Sequence, residues 1–185
     1  MRVAINGFGR IGRSVFRILN SRENVSVVAI NDIADNDAMA YLLKYDTVMG
    51  PFKDSVSLDG DIMKTSNNQI KMVAEREPSL LPWKEMAVDV VIEATGIFRE
   101  KLQLQQHINA GAKRVILTVP SKDEIDYTLV IGVNDDGLTA DHKIISNASC
   151  TTNCLAPMAK IINDSFGIEY GVINTIHAYT NDQRL

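Results

Sequence analysis

Arg2-Val3-Ala4-Ile5-Asn6-Gly7-Phe8-Gly9-Arg10-Ile11-Gly12 is the stretch whose reading decides the fold. Its first five residues read as a short buried strand. They run straight into G-x-G-x-x-G, followed by helical spacing with Ile11, Val15, Phe16, Ile18 and Leu19 on the apolar side. Three glycines alone carry little weight, but between a strand and a helix each has a physical task. Gly7 turns the chain, Gly9 lets backbone approach a pyrophosphate, and Gly12 lets helix and strand pack closely. The helix start then offers free N–H groups and a positive dipole end to the phosphates. A second strand, Val25 to Asn31, closes a βαβ unit and ends on Asp32, where such a unit places the acid that hydrogen-bonds the adenosine ribose. A carboxylate there repels a 2′-phosphate, so NAD is favoured over NADP.

Outward from this unit, Asp35 to Lys44 has helical spacing with Ala38, Met39, Leu42 and Leu43 inward. Phe52 to Glu75 alternates in short segments about a turn at Asp59-Gly60, the pattern of an antiparallel excursion. Val88 to Ala94 is a near-continuous apolar run, as in a parallel strand covered on both faces. It ends at Thr95-Gly96, on the edge where such sheets hold ligands. A helix from Glu100 to Ala110 stops at Gly111, a C′ residue. Strands over Arg114–Val119 and Thr128–Val133 and an edge run over Lys143–Asn147 follow. This order predicts the α/β class, a doubly wound sheet with helices on both faces.

The 185 residues suit one domain and a fraction of a second. Hydrophobic residues at 45% and charged residues at 23% give enough apolar sequence for a sizeable core. A net charge of −4 gathers neither nucleic acid nor anionic lipid, so anionic ligands need local devices. No apolar run approaches the ~20 residues that span a bilayer. Strand-like sequence begins directly after Met1-Arg2, with no room for a signal peptide. Two cysteines spaced C-x3-C fit neither a disulfide framework nor a zinc site. The expectation is a cytoplasmic chain without metal, nucleic-acid or membrane partners.

The second chemical stretch is Asn147-Ala148-Ser149-Cys150-Thr151-Thr152-Asn153-Cys154. A β run precedes it, and Cys154, Leu155, Met158, Ile161, Ile162 and Phe166 follow at helical spacing. Cys150 then opens a helix with Ser149 as N-cap. Free N–H groups and the helix dipole there favour the thiolate, which is the nucleophile. Cys154, on the apolar face, reads as a small buried residue. Partial alternation over Tyr170–Tyr179 reads as a strand returning from that helix. Such a strand could bring His177 beside the thiol as its base; a satisfied structural histidine is the alternative. His107 and His142 read as solvated.

With these residues in hand, Ile5–Arg13, Ser146–Pro157 and Thr175–Thr180 together resemble phosphorylating glyceraldehyde-3-phosphate dehydrogenase of bacterial type. Tyr45-Asp46-Thr47, Glu93–Phe98, Ala110–Lys113 and Gly132-Val133-Asn134 extend the resemblance over the whole chain, and the cysteine motif is highly specific. Two departures are Met49, where the family usually has His, and Thr118-Val119, where Ser-Ala or Thr-Ala is common. The resemblance implies a doubly wound Rossmann NAD-binding domain over 1–149, followed over 150–185 by the truncated start of an α+β catalytic domain.

It further implies that Cys150 attacks the aldehyde carbon of the triose phosphate to give a hemithioacetal. His177 takes the proton and steadies the oxyanion together with the Cys150 N–H. Hydride passes to NAD, and inorganic phosphate cleaves the resulting thioester to 1,3-bisphosphoglycerate, a step of glycolysis. Ser149 and Thr151 would meet the attacking phosphate, and Thr180 the phosphate of the substrate. Gly7, Gly9, Arg10, Ile11, Gly12, Asp32, Arg76, Thr95 and Thr118 would line the dinucleotide. The family is homotetrameric, and its chains continue for about as many residues again, beyond the domain size set by composition. A fragment is therefore expected, with NAD binding weak or absent, no measurable turnover by itself and an exposed apolar face. Two rival readings are erythrose-4-phosphate dehydrogenase, where water resolves the thioester, and a non-catalytic dinucleotide-binding or interaction module. Ala178-Tyr179-Thr180 leans towards the triose enzyme.

Overall fold

The computed structural model describes residues 1–178. In chain order its elements are β1 (Arg2–Asn6), α1 (Arg10–Leu19), β2 (Ser26–Asn31), α2 (Asn36–Lys44), β3 (Ser57–Asp59), β4 (Ile62–Lys64) and β5 (Gln69–Val73). Then come β6 (Val90–Glu93), α3 (Lys101–Asn109), β7 (Arg114–Leu117), β8 (Tyr127–Thr128), β9 (Ile144–Ser146) and α4 (Cys150–Phe166). One sheet joins the strands in the order β3-β4-β5-β2-β1-β6-β7-β9-β8. Among the described residues only the β3–β4 and β4–β5 pairings are antiparallel. The chain leaves β1 for β2 on one side and later enters β6 on the other, so strand order reverses between β1 and β6. Sheets of this kind bind ligands at the C-terminal ends of the strands beside that reversal.

The alternation of β1 shows why both faces must be covered. Val3 and Ile5 point into one core with Phe8, Phe16, Ile30 and Leu43, while Ala4 points into the other with Trp83, Val91, Leu104 and Val115. The first core is roofed by α1 and α2, the second by α3, which buries Leu104 and His107. The expected α/β doubly wound architecture is what the chain adopts.

Several local expectations need correction. On α1 the buried stripe runs through Gly12 and Phe16; Ile11 and Ile18 fall off its side and are exposed. On α2 only Met39 and Leu43 are buried, and Ala38 and Leu42 face outward. The strand expected over Thr128–Val133 is cut to β8 because the Asn134 side chain takes over the backbone pairing: its Oδ1 accepts the Val130 N–H at 2.8 Å and its Nδ2 donates to the Thr128 carbonyl at 2.9 Å. Gly132, at φ +81°, completes that turn. The run expected to be an edge is β9, which lies inside the sheet between β7 and β8 and is fully buried.

Residues 170–178 form no strand: no described neighbour pairs with their backbone, and a lone extended segment has nothing to hold it. Cys154 is exposed rather than buried, because no residue of α4 is buried among the described residues. That leaves Met158, Ile161, Ile162 and Phe166 as the expected exposed apolar stripe. No helix among the described residues is long and apolar enough to cross a membrane.

Candidate active site

The glycine turn works through contacts that a side chain would destroy. Gly7 sits at φ +90°, and a Cβ there would lie 2.6 Å from the Thr95 N. A Cβ on Gly12 would lie 2.1 Å from the Gly7 carbonyl oxygen, so the start of α1 can rest on the turn only if Gly12 is bare. Gly9 differs: a Cβ there meets nothing within 4 Å. It is the N-cap of α1 and no side chain caps the helix, so the first N–H groups remain free for an anion. Bare backbone facing open space is the surface that a diphosphate needs, so these residues fit a dinucleotide.

Asp32 follows β2 and is already oriented, Oδ2 accepting the Phe8 N–H at 2.6 Å and Oδ1 the Ala34 N–H at 3.0 Å. A cavity of about 410 Å³ brings Gly7, Gly9, Asp32, Arg76 and Thr95 together at the β1–β6 reversal. Arg10, Ile11, Gly12 and Thr118 do not line it. Arg10 and Ile11 stand exposed in the first turn of α1, and Gly12 is buried beneath it. Thr118 lies just past β7 with its hydroxyl donating to the Glu93 carbonyl at 3.0 Å.

Under this cavity runs a buried polar chain that the sequence reading missed. Asn31 Nδ2 donates to Asn6 Oδ1 at 2.7 Å, and Asn6 Nδ2 donates to Glu93 Oε2 at 2.5 Å. The other oxygen, Glu93 Oε1, accepts the Thr95 N–H at 2.9 Å and also the Thr95 hydroxyl. His107, expected to be solvated, is fully buried, its Nε2 3.1 Å from Glu93 Oε2. Trp83 Nε1–H donates to His107 Nδ1 at 3.0 Å, which assigns the ring proton to Nε2 and makes His107 a donor to Glu93. His142 is half-buried, stacked on Tyr127 with ring centroids 4.7 Å apart. The missed signal was positional: Asn6, Asn31 and Glu93 each end a strand directly after a run of buried apolar residues, at the sheet edge that binds ligands.

The thiol site lies past the C-terminal end of β9. Ala148 is buried in the left-handed region at φ +58°, a conformation that L side chains rarely adopt and that cores must enforce. The Ser146 hydroxyl helps, accepting the Ala148 N–H at 3.0 Å. Ser149 then caps α4, its hydroxyl accepting the Thr152 N–H at 2.9 Å, and Cys150 is the first helical residue, exposed. Asn153 Nδ2 ties the corner to the Asn147 and Ser149 carbonyls at 2.7 and 3.0 Å.

A surface cavity of about 440 Å³ is shared by Cys150, Thr151, Cys154, Thr175 and His177. His177 Nε2 lies 3.1 Å from the Thr175 hydroxyl and 3.4 Å from that of Thr151. The structure thus brings Cys150, Thr151 and His177 around one cavity, while the Ser149 hydroxyl is turned into the cap. Thr180 lies outside the described residues. Among those residues no group of three or more His, Cys, Asp or Glu is gathered to hold a metal ion. A thiol, an imidazole and helix-start N–H groups around one opening can carry out acyl transfer through sulfur.

Comparison with known proteins bears on this geometry. The family model described as "Glyceraldehyde 3-phosphate dehydrogenase, NAD binding domain" matches residues 1–101, and that described as "Glyceraldehyde 3-phosphate dehydrogenase, C-terminal domain" matches residues 149–185. Similar proteins include glyceraldehyde-3-phosphate dehydrogenases of Borreliella burgdorferi, 54% identical, of Thermotoga maritima, 52% identical, and of Streptomyces coelicolor, 51% identical. Each alignment covers 100% of this chain and 55% or 56% of the relative. The chain therefore spans little more than half the length of these curated relatives.

Proposed function

The chain belongs to the glyceraldehyde-3-phosphate dehydrogenase family, and from that premise we propose that it carries the nucleophile, the base and the dinucleotide cleft for NAD-dependent oxidative phosphorylation of glyceraldehyde 3-phosphate to 1,3-bisphosphoglycerate. The observation that carries this reading is Cys150 opening α4 on the cavity it shares with Thr151 and His177.

NAD, when bound, supplies the hydride acceptor. The chain's own residues do the rest. The N–H groups at the start of α1 and the bare backbone at Gly9 hold the diphosphate, Asp32 the adenosine ribose, and Arg76 and Thr95 the remaining walls. Cys150 Sγ forms a bond to the aldehyde carbon, and His177 Nε2 manages the proton of the resulting hydroxyl. The Cys150 N–H steadies the oxygen as charge develops. Loss of hydride from that carbon leaves a thioester on Cys150. An oxygen of inorganic phosphate, held by Ser149 and Thr151, attacks the thioester and releases the sulfur. Thr180 holds the phosphate of the substrate.

In the same reading, residues 1–149 are the dinucleotide-binding domain and 150–185 the first part of the catalytic domain, in a cytoplasmic homo-oligomer. The exposed apolar stripe of α4 supports such association.

Peptide-mapped iodoacetamide labelling tests the reading. Cys150 is expected to react faster than Cys154, and glyceraldehyde 3-phosphate to protect Cys150 alone, better than erythrose 4-phosphate does. Equal, slow labelling of both thiols that neither aldehyde alters would contradict it.

A further inference from the structure

Ser146, the last residue of β9, has no part in the proposed chemistry, yet it is fully enclosed. Its backbone is fixed from both sides, paired with Leu117 of β7 and Thr128 of β8, and its carbonyl accepts the Leu129 N–H at 2.8 Å. The side chain hanging from this anchor has only one way to bond. A carbonyl accepts and an amide N–H donates, so the hydroxyl proton goes to the Val119 carbonyl at 2.8 Å and a lone pair takes the Ala148 N–H at 3.0 Å.

Only Asn147, Ala148 and Ser149 separate β9 from Cys150, the first residue of α4. The Asn147 N–H still belongs to the sheet, donating to the Leu117 carbonyl at 3.0 Å, and Ser149 is already the helix cap. The change of direction therefore falls on Ala148, at φ +58°. An alanine does not choose that region by itself, so its surroundings must hold it there. A buried N–H needs an acceptor, and in this conformation that of Ala148 has the Ser146 hydroxyl. At its other end the hydroxyl grips the loop after β7, where Thr118 donates its N–H and its hydroxyl to the Glu93 carbonyl at 3.1 and 3.0 Å. The corner is thus tied to the ends of β6 and β7 as well as to β9.

Resting on the reading of Cys150 as the nucleophile, we propose that Ser146 is a positioning residue for its thiol. The Ser146 hydroxyl holds Ala148 in the left-handed turn, and that turn sets where α4 starts and so where Cys150 stands against the free N–H groups of the first turn. Without the hydroxyl the Ala148 N–H is buried and unpaired, and the backbone must rotate to satisfy it. Ser149 and Cys150 move with it, and the first turn of α4 frays from its cap end. Cys154, one turn further on, keeps its place in the helix, so the loss falls on one thiol of the two.

The test is iodoacetamide labelling of wild type, Ser146→Ala, Ser146→Thr and the double variant Ser146→Ala with Ala148→Gly, beside their urea midpoints. The readout is the ratio of the Cys150 rate to the Cys154 rate, since both thiols are exposed on α4 and a change in folded fraction moves them together. Ser146→Ala is expected to lower the ratio about threefold, the scale of a helix start acting on a charged group. Ser146→Thr keeps the hydroxyl and should keep the ratio. Glycine adopts a positive φ without steric cost, so Ala148→Gly should restore most of the ratio to Ser146→Ala although no hydroxyl returns. A merely structural serine would lower the urea midpoint and leave the ratio where it was.

An unchanged ratio in Ser146→Ala, or a fall that Ala148→Gly does not reverse, overturns the positioning role while the nucleophile stands. Equal labelling of the two thiols in wild type overturns the nucleophile reading and this inference with it. Should Ser146→Ala fail to fold, amide exchange in the 15N-labelled wild-type chain decides. The Ala148 amide is expected to exchange as slowly as that of Asn147, which the sheet holds; exchange at the rate of an exposed amide overturns the role.

Discussion

His177 Nε2 lies 3.4 Å from the hydroxyl of Thr151, the residue that follows Cys150 in the first turn of α4. The contact ties the segment after α4 back to the helix start, although the two residues are 26 positions apart. It also gives the cap of α4 a functional meaning, because whatever orders that first turn orders the thiol and the contact of the imidazole.

Ser149→Ala removes the hydroxyl that accepts the Thr152 N–H at 2.9 Å. Loss of an N-cap of this kind costs about 1 kcal/mol. The urea midpoint should fall accordingly, and the ratio of Cys150 to Cys154 alkylation rates should fall with it. A lower midpoint with an unchanged ratio would show that the cap serves folding only.

Gly9→Ala and Gly12→Ala separate ligand from fold within one motif. A Cβ on Gly9 meets nothing, so this variant should unfold like the wild type yet lose NAD binding, since the methyl occupies the ligand's side. A Cβ on Gly12 strikes the Gly7 carbonyl oxygen, and overpacking of that sort costs about 1–3 kcal/mol. Denaturant curves beside NAD titrations check both.

Acid should destabilise the chain through carboxylates engaged at the sheet ends. The Arg2 N–H and then the Lys113 ammonium hold Asp89 below its ordinary 3.8. Burial opposes ionisation of Asp126, but the Ile144 N–H, the Lys101 ammonium and the Lys143 N–H together outweigh it and hold this group low as well. A carboxyl lowered on folding stabilises above its unfolded value, and that contribution disappears as pH falls through the folded one. Stability should therefore decline from about pH 4 downwards, and Asp126→Asn should flatten the decline. Thermal midpoints across that range are the readout.

The strand–glycine–helix unit was legible because its signals are local. A positive φ at Gly7, a bare Gly12 and a period of 3.6 lie within a dozen residues, and β1 spans the residues expected of it. The Ser149 cap was legible for the same reason. What the sequence concealed depends on partners remote along the chain. His107 is buried because Trp83 and Glu93, 24 and 14 positions away, satisfy both ring nitrogens. Cys154 and its apolar neighbours have a buried-looking pattern, and only the packing reveals them as exposed. β8 ended early because one side chain, Asn134, bonded backbone that hydropathy had assigned to a ladder.

The cleft between the glycine turn and Thr95 accepts a dinucleotide with its adenosine ribose on Asp32 in the proposed function. Titrating the labelled chain with NAD and with NADP, and following the amides of Gly7, Gly9, Asp32 and Thr95, measures this directly. NAD should move those four amides and bind at least about tenfold more tightly than NADP, and Asp32→Gly should narrow that difference. Equal affinity for the two, or shifts that leave these amides untouched, would contradict it.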